Sequence, residues 1–293
     1  MIYTHAGVIV AAVLALTPLF LFGFVGERCI AALNEQALPV QFLLPATCII
    51  PYLLACWPLH LIRAEWLLLY LLLPIAVASL LALAAKLDPQ RRGHVLDFLV
   101  LFTLGLAVDL RWFEQAWPHA LVAMNKVLLL DAGLYGFLVI RQLDGVGLDL
   151  RWQRADWKIG LRELFIYMPI AITLGLAIGF LHWHGHVNRP WLLPGIWIFT
   201  YLLIALPEEI FFRGWMQNLL ERRIGRTPAL IVTAILFGLS HFNKRTAYFN
   251  WRYVLLAAIA GIFYGRAWRS ERRIAASSVT HACVDTLWGA LLR

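Results

Sequence analysis

Trp197-Ile-Phe-Thr-Tyr-Leu-Leu-Ile-Ala-Leu-Pro-Glu208-Glu209-Ile-Phe-Phe-Arg213 is the stretch that decides how this chain is read. An apolar run ends in two adjacent glutamates, resumes at once as Ile-Phe-Phe, and meets an arginine. A carboxylate at bilayer depth costs about 3 kcal/mol or more, so chains rarely keep one there without a use. Further along, other apolar segments carry Ser240-His241 and His281 through Asp285. A carboxylate pair, two imidazoles and a further acid inside hydrophobic helices read as the working parts of an intramembrane hydrolase.

The rest of the chain supports the membrane setting. It is 61% hydrophobic and only 14% charged over 293 residues, too apolar for the polar shell of a soluble domain. The apolar residues come in long unbroken runs, where a β-barrel would alternate them. The expected fold is all-α: a polytopic transmembrane helical bundle of about 8–10 spans. That makes the chain an integral, multi-pass protein of the lipid bilayer, the inner or plasma membrane for a bacterial source. The net charge of +8 sits in short loops between apolar segments. We read it as the positive-inside pattern and expect no nucleic-acid partner. Cys29, Cys48, Cys56 and Cys283 show no paired spacing and suit packing better than disulfides or metal. No Lys/Arg n-region precedes the first apolar run, so residues 6–25 are expected to be a retained span.

Spans are expected near 6–25, 42–59, 66–85, 95–110, 120–140, 163–182, 191–221, 228–245, 252–268 and 274–291. The segment 95–110 is short, and 120–140 carries Lys126 and Asp131, so one of the two is expected to be re-entrant or interfacial. The polar stretch Arg141 to Arg162 reads as a surface linker or interfacial segment. We therefore divide the chain into an N-terminal transmembrane region, 1–160, and a core, 161–293. Alternation of spans puts the Arg/Lys-rich loops 86–94, 141–162, 222–227 and 266–273 on one side of the membrane. With a rise of about 1.5 Å per residue, Glu208 and His241 each lie roughly 21 Å above the 222–227 loop. His281 lies roughly 12 Å and Asp285 roughly 18 Å above Arg273 by the same rise. All four fall in one layer.

Neighbours on a helix point about 100° apart, so Glu208 and Glu209 do different things. Arg213 is four beyond Glu209, the spacing of a helical ion pair, which leaves Glu208 to hold a water. Such a network also suits a non-catalytic protein, a transporter, immunity or scaffold protein that uses it structurally. His241, taken alone, reads as an interfacial histidine; at the depth of Glu208 it becomes a second ligand for the same water. His281 and Asp285 are four apart on one face. Asp285 is expected to orient His281, which then donates to a developing oxyanion. Gly261 and Gly265 form a small-xxx-small pair expected to draw the helices of His241 and His281 together. His182, His184 and His186 alternate, a pattern compatible with metal, but a solvent loop explains them better. His-Glu-x-x-His, Gly-x-Ser-x-Gly and Walker A signatures are absent, and no metal or cofactor is expected. Metal-dependent hydrolysis stays as a third reading, since Glu and His are zinc ligands.

Glu208-Glu209-Ile-Phe-Phe-Arg213, Phe237-Gly-Leu-Ser-His241 and His281-Ala-Cys-Val-Asp285 together resemble the three motifs of a known family. It is the CAAX protease and bacteriocin-processing (Abi) family of intramembrane glutamic endopeptidases. The resemblance covers roughly residues 163 to 293. It implies a helical core in which Glu208 activates water with the help of His241, while His281 and Asp285 stabilise the tetrahedral oxyanion. The prenyl endopeptidases of the family carry Asn where this chain has Asp285, so here that residue is implied to be protonated or to hold His281. The implied partner is a membrane-associated protein or peptide, by analogy one with a C-terminal anchor or sorting signal.

Overall fold

The computed structural model describes residues 6–184, 189–246 and 248–292; His186 of the alternating histidines lies outside them. Among the described residues the chain is helical and contains no strand, an all-α architecture as expected. It divides into two compact units, Met1–Asp144 and Gly145–Arg293.

The first unit holds α1 (Ala6–Asn34), α2 (Leu38–Leu59), α3 (Ala64–Leu87), α4 (Val95–Asp109) and α5 (Ala123–Ile140). Their Leu-, Ala- and Val-rich runs satisfy backbone hydrogen bonds within each helix, as a lipid interior demands. Internal prolines such as Pro18 and Pro74 are accommodated. Of the two segments, one of which is expected to be re-entrant or interfacial, α4 has only 15 residues. The other, α5, is the most enclosed of the apolar helices, 78% buried within the protein. Arg141, at the end of α5, is wholly buried. Its Nε and Nη2 donate to Asp97 at 2.7 and 3.0 Å, Nη2 also donates to Asp88 at 2.7 Å, and Nη1 donates to the Asp88 carbonyl at 3.1 Å. Every nitrogen of that guanidinium is used.

The second unit holds α6 (Arg154–Ala177), α7 (Pro190–Ile224), α8 (Arg226–Leu239), α9 (Trp251–Glu271) and α10 (Ile274–Leu291). Residues 154–162 are not surface linker, as expected from their polarity, but the first turns of α6. A capping box starts the helix there: the Asp156 carboxylate accepts from the Gln153 backbone N–H at 2.8 Å. The unit also takes in residues 145–153, which buttress the start of α10. Gly147 accepts from the Ile274 N–H at 2.9 Å, and a side chain at Gly147 would collide with the Arg272 carbonyl. Arg273 then pins the loop, bonding both Asp156 oxygens (2.7 and 2.9 Å) and Asp149 (3.1 Å). Burial raises the Asp149 carboxyl, but hydrogen bonds from the Arg151 side chain and backbone and from Arg273 outweigh it and bring the pKa to about 2.

Among the described residues, six of the ten helices are long and apolar enough to cross a membrane: α1, α2, α3, α5, α6 and α7. The remaining four are shorter, like α4 and α8, or richer in polar residues, like α9 and α10. Val13, Leu68, Phe165, Phe199 and Ile235 all lie more than 40% exposed, the outward apolar surface that lipid covers. The chain is thus an integral, multi-pass membrane protein.

Candidate active site

The site is built on α7, α10 and the turn after α8. Helix α7 is not a regular α-helix: Tyr201–Ala205 and Ile210–Gln217 are π-helical, with the glutamates in the short α segment between them. Wide i→i+5 turns of this kind recur at functional sites, where they re-aim side chains. Glu209 is fully buried, and its Oε2 accepts from Arg213 Nε at 3.0 Å, the ion pair expected from their spacing. Its other oxygen does something the spacing did not indicate. Glu209 Oε1 lies 2.8 Å from His281 Nδ1, 72 residues away.

His281 is the hub. Its Nδ1 donates to Glu209, since an ionised carboxylate only accepts. Its Nε2 has Asp285 Oδ2 at 3.6 Å and Glu208 Oε2 at 3.9 Å. Asp285, expected to orient His281, stands 3.6 Å away, too long for a hydrogen bond, and the hydrogen bond that His281 makes runs to Glu209. The ring stacks on Tyr264, centroids 4.6 Å apart and planes within 15°, which fixes its plane. Three carboxyl groups, of Glu208, Glu209 and Asp285, thus surround one imidazole.

Glu208 is partly exposed, 26% for its side chain, and Lys244 Nζ stands 4.0 Å from its Oε1. Lys244 escaped the sequence reading because a lysine in a polar loop carries no signal of its own. The loop brings it back because α8 ends at Leu239, six residues before its expected end, so that Ser240 to Phe242 turn instead of continuing the helix. His241 thus sits just past a helix and not within one, buried to 5% exposure. Its Nδ1 is 2.8 Å from the Phe237 carbonyl, which can only accept. That contact assigns the proton to Nδ1 and leaves Nε2, in the neutral ring, as the acceptor. Ser240 is occupied locally, donating to the same carbonyl at 2.8 Å.

His241, His281 and Asp285 line one cavity of about 60 Å³, walled mainly by Tyr167, Tyr253, Leu256, Ala260 and Trp288. A water needs about 10–15 Å³ of such space, so a few fit beside the two imidazoles. Glu208 is not among its lining residues and approaches His281 from the side of Lys244. The six expected residues are therefore brought together: Glu208, Glu209 and Asp285 about the His281 ring, Arg213 behind Glu209, and His241 across the shared cavity. Arg213 lies against Phe237, its guanidinium 5.2 Å from the ring centre. Gly261 and Gly265 pack differently from expectation. Their bare faces meet Ala234 of α8 and Leu230 and Gln217 of α8 and α7, so they seat α9 on those helices and do not join α8 directly to α10. His182 and His184 are tied through backbone N–H groups to the carbonyls of Leu292 and Leu291 (3.1 and 3.0 Å).

Residues 189–287 match the family described as type II CAAX prenyl endopeptidase Rce1-like. That segment contains all six residues, and the resemblance drawn from the three motifs is borne out. No curated protein and no solved structure matches the chain.

Proposed function

We propose that the second unit is an intramembrane endopeptidase that hydrolyses a peptide bond of a membrane-associated protein by direct attack of a water activated by Glu208. The observation that carries this is the hub: His281 held at Nδ1 by buried Glu209, with its Nε2 turned toward Glu208 and Asp285. In this reading Glu208 takes the proton of the attacking water while the Nε2 lone pair of His241 orients it. As the carbonyl carbon becomes tetrahedral, its oxygen gains negative charge. The Nε2–H of His281, already held in place by Glu209 and Tyr264, donates to that oxygen without reorganising. Glu208 then passes the proton to the departing amine, and the products are a carboxylate and an amine. Asp285 keeps the imidazolium charged and does not itself meet the oxyanion. Lys244 balances the charge of Glu208 in the resting site. The substrate is a protein or peptide in the same bilayer, one with a C-terminal anchor or sorting signal.

The metal-dependent alternative is tested with the purified chain in lipid nanodiscs and membrane-anchored peptides. Hydrolysis should continue at an unchanged rate after strong chelators. One zinc per chain by elemental analysis, removed together with activity, would turn the reading to a metallopeptidase.

A further inference from the structure

Glu209, Arg213, Gln217 and Glu221 repeat every four residues along α7. The first three are completely buried, and the Glu221 side chain is 4% exposed. The wide π turns over Ile210–Gln217 help to keep residues four apart near one line. The line begins at the hub, with Arg213 Nε donating to Glu209. It ends near the basic turn after α9, where Glu221 accepts from Arg272 at 2.6 Å and faces Arg269 at 3.4 Å. Gln217 Nε2 donates to Glu221 Oε1 at 3.2 Å. A carboxylate only accepts, so the amide must turn its NH₂ to Glu221, which leaves its carbonyl oxygen beside Gly265.

Between these two bonded pairs the polar groups do not meet. Arg213 Nη1 and Nη2 and Gln217 Oε1 are buried and have no hydrogen-bond partner among the described residues. The Thr233 hydroxyl is in the same condition. Thr233 belongs here by position. On α8, Leu230 meets Gln217 across Gly265, and Phe237 lies against the Arg213 guanidinium; Thr233 stands between them on the same side of the helix. Gly265 is what allows Gln217 to lie so close, since a Cβ there would fall 2.6 Å from Gln217 Oε1. Two donors, a carbonyl and a hydroxyl are thus buried without hydrogen-bond partners among the described residues where α7 packs on α8. Buried polar groups left in that condition are destabilising, and native proteins pair nearly all of them. One water, with two donor and two acceptor positions, pairs these groups: it accepts from an Arg213 Nη–H and donates to Gln217 Oε1 and Thr233 Oγ1.

We propose that Arg213, Gln217 and Thr233 hold a buried water, which closes a hydrogen-bonded spine from the Glu221–Arg272 pair to the Glu209–His281 pair. Gln217 is then a positioning residue: through the water it holds Arg213, and through Arg213 it holds the carboxylate that aims His281. The water site stands on the buried groups alone; the positioning role rests on the catalytic reading given above.

The test uses the full chain in nanodiscs, solved at a resolution that shows ordered water. Density within hydrogen-bonding distance of an Arg213 Nη and of Gln217 Oε1 is expected. A direct Arg213–Gln217 contact, or density absent from between them, overturns the site whatever the activity. For the positioning role, Gln217→Met should lower kcat on the order of 10-fold while leaving KM unchanged, as for other residues that orient a catalytic group. Thr233→Val should lower kcat in the same way and Thr233→Ser should restore it, a pair that decides the matter if Gln217→Met does not fold. Unchanged kcat in Thr233→Val, with the water seen in the wild type, overturns the positioning role and leaves the site. A wild-type chain that hydrolyses nothing would sink the catalytic reading and the positioning role with it, while the density still decides the water.

Discussion

Each unit of this protein buries an arginine among carboxylates, and the two are finished differently. In the first unit Arg141 spends every nitrogen on Asp88 and Asp97 at 2.7–3.1 Å. In the second, Arg213 makes one such bond, to Glu209, and its two terminal nitrogens have no partner among the described residues. Neither arrangement is cheap, because an ion removed from water loses several kcal/mol of hydration. Arg141 recovers that cost locally, which marks a lock. Arg213 does not, and its carboxylate partner is shared with an imidazole that faces a cavity. A polar network fully satisfied within itself holds a fold together; one left partly open, beside a cavity, is arranged for something else.

The comparison can be broken first at Arg141. Removing one partner of a buried pair costs about 3–5 kcal/mol, because a charge is left uncompensated. Arg141→Ala should therefore lower the melting temperature in detergent steeply, while the turnover of the protein that remains folded stays at the wild-type level. A large drop in specific turnover would mean that the first unit shapes the site.

The next effect is on rate. Asp285→Ala should slow turnover about 10²–10³-fold, the usual loss when an oxyanion donor is disturbed, because His281 loses a neighbouring charge. Asp285→Asn should lose about as much, since it removes the same charge. Substantial activity retained in Asp285→Asn would show that position, not charge, is what Asp285 supplies.

Arg213→Ala sharpens the contrast from the other side. Glu209 keeps its bond to His281, so a single carboxylate oxygen is left unsatisfied, at a cost of about 1–3 kcal/mol. The melting temperature should fall less than in Arg141→Ala, and turnover should fall more. The reverse order for the two arginines would undo the distinction between lock and site.

The smallest expected effect lies in the loop that Arg273 pins. Asp149 is held to a pKa of about 2, below the ordinary carboxylate range. A carboxyl whose pKa is lowered on folding adds stability above its unfolded pKa, and that stability is lost as pH falls through the folded value. Wild type should be modestly more stable than Asp149→Asn at pH 5–7, with the gap closing toward pH 2, followed by melting temperature. A gap independent of pH would mean that packing, not ionisation, sets its contribution.

Much of this was legible in the residues. Long apolar runs announced the helices, and the four-residue spacing announced the Glu209–Arg213 pair, because both depend on local geometry alone. The contact that organises the site joins Glu209 to His281, and no spacing encodes a bond across 72 positions. The π turns of α7 were also hidden, since they redirect side chains without a distinctive residue pattern. Polarity misled at 154–162, where Asp156 caps a helix that its charged neighbours disguise. Lys244 was invisible because only the turn after Leu239 carries it to Glu208. Tyr264 sat inside the Gly-Ile-Phe-Tyr-Gly265 motif, where an aromatic between two close-packing glycines was a usable sign of a ring-on-ring contact.

The central claim is that Glu208 is the base of a peptide hydrolysis, and Glu208→Gln tests it most directly. Glutamine keeps the size and hydrogen-bonding reach of the side chain and removes only the ability to take a proton. With melting temperature and turnover of membrane-anchored peptides measured on the same preparation, the account predicts an unchanged melting temperature and a rate lower by about 10²–10⁴-fold, the range of general-base contributions. A folded Glu208→Gln protein that cuts the peptide at close to the wild-type rate would contradict it.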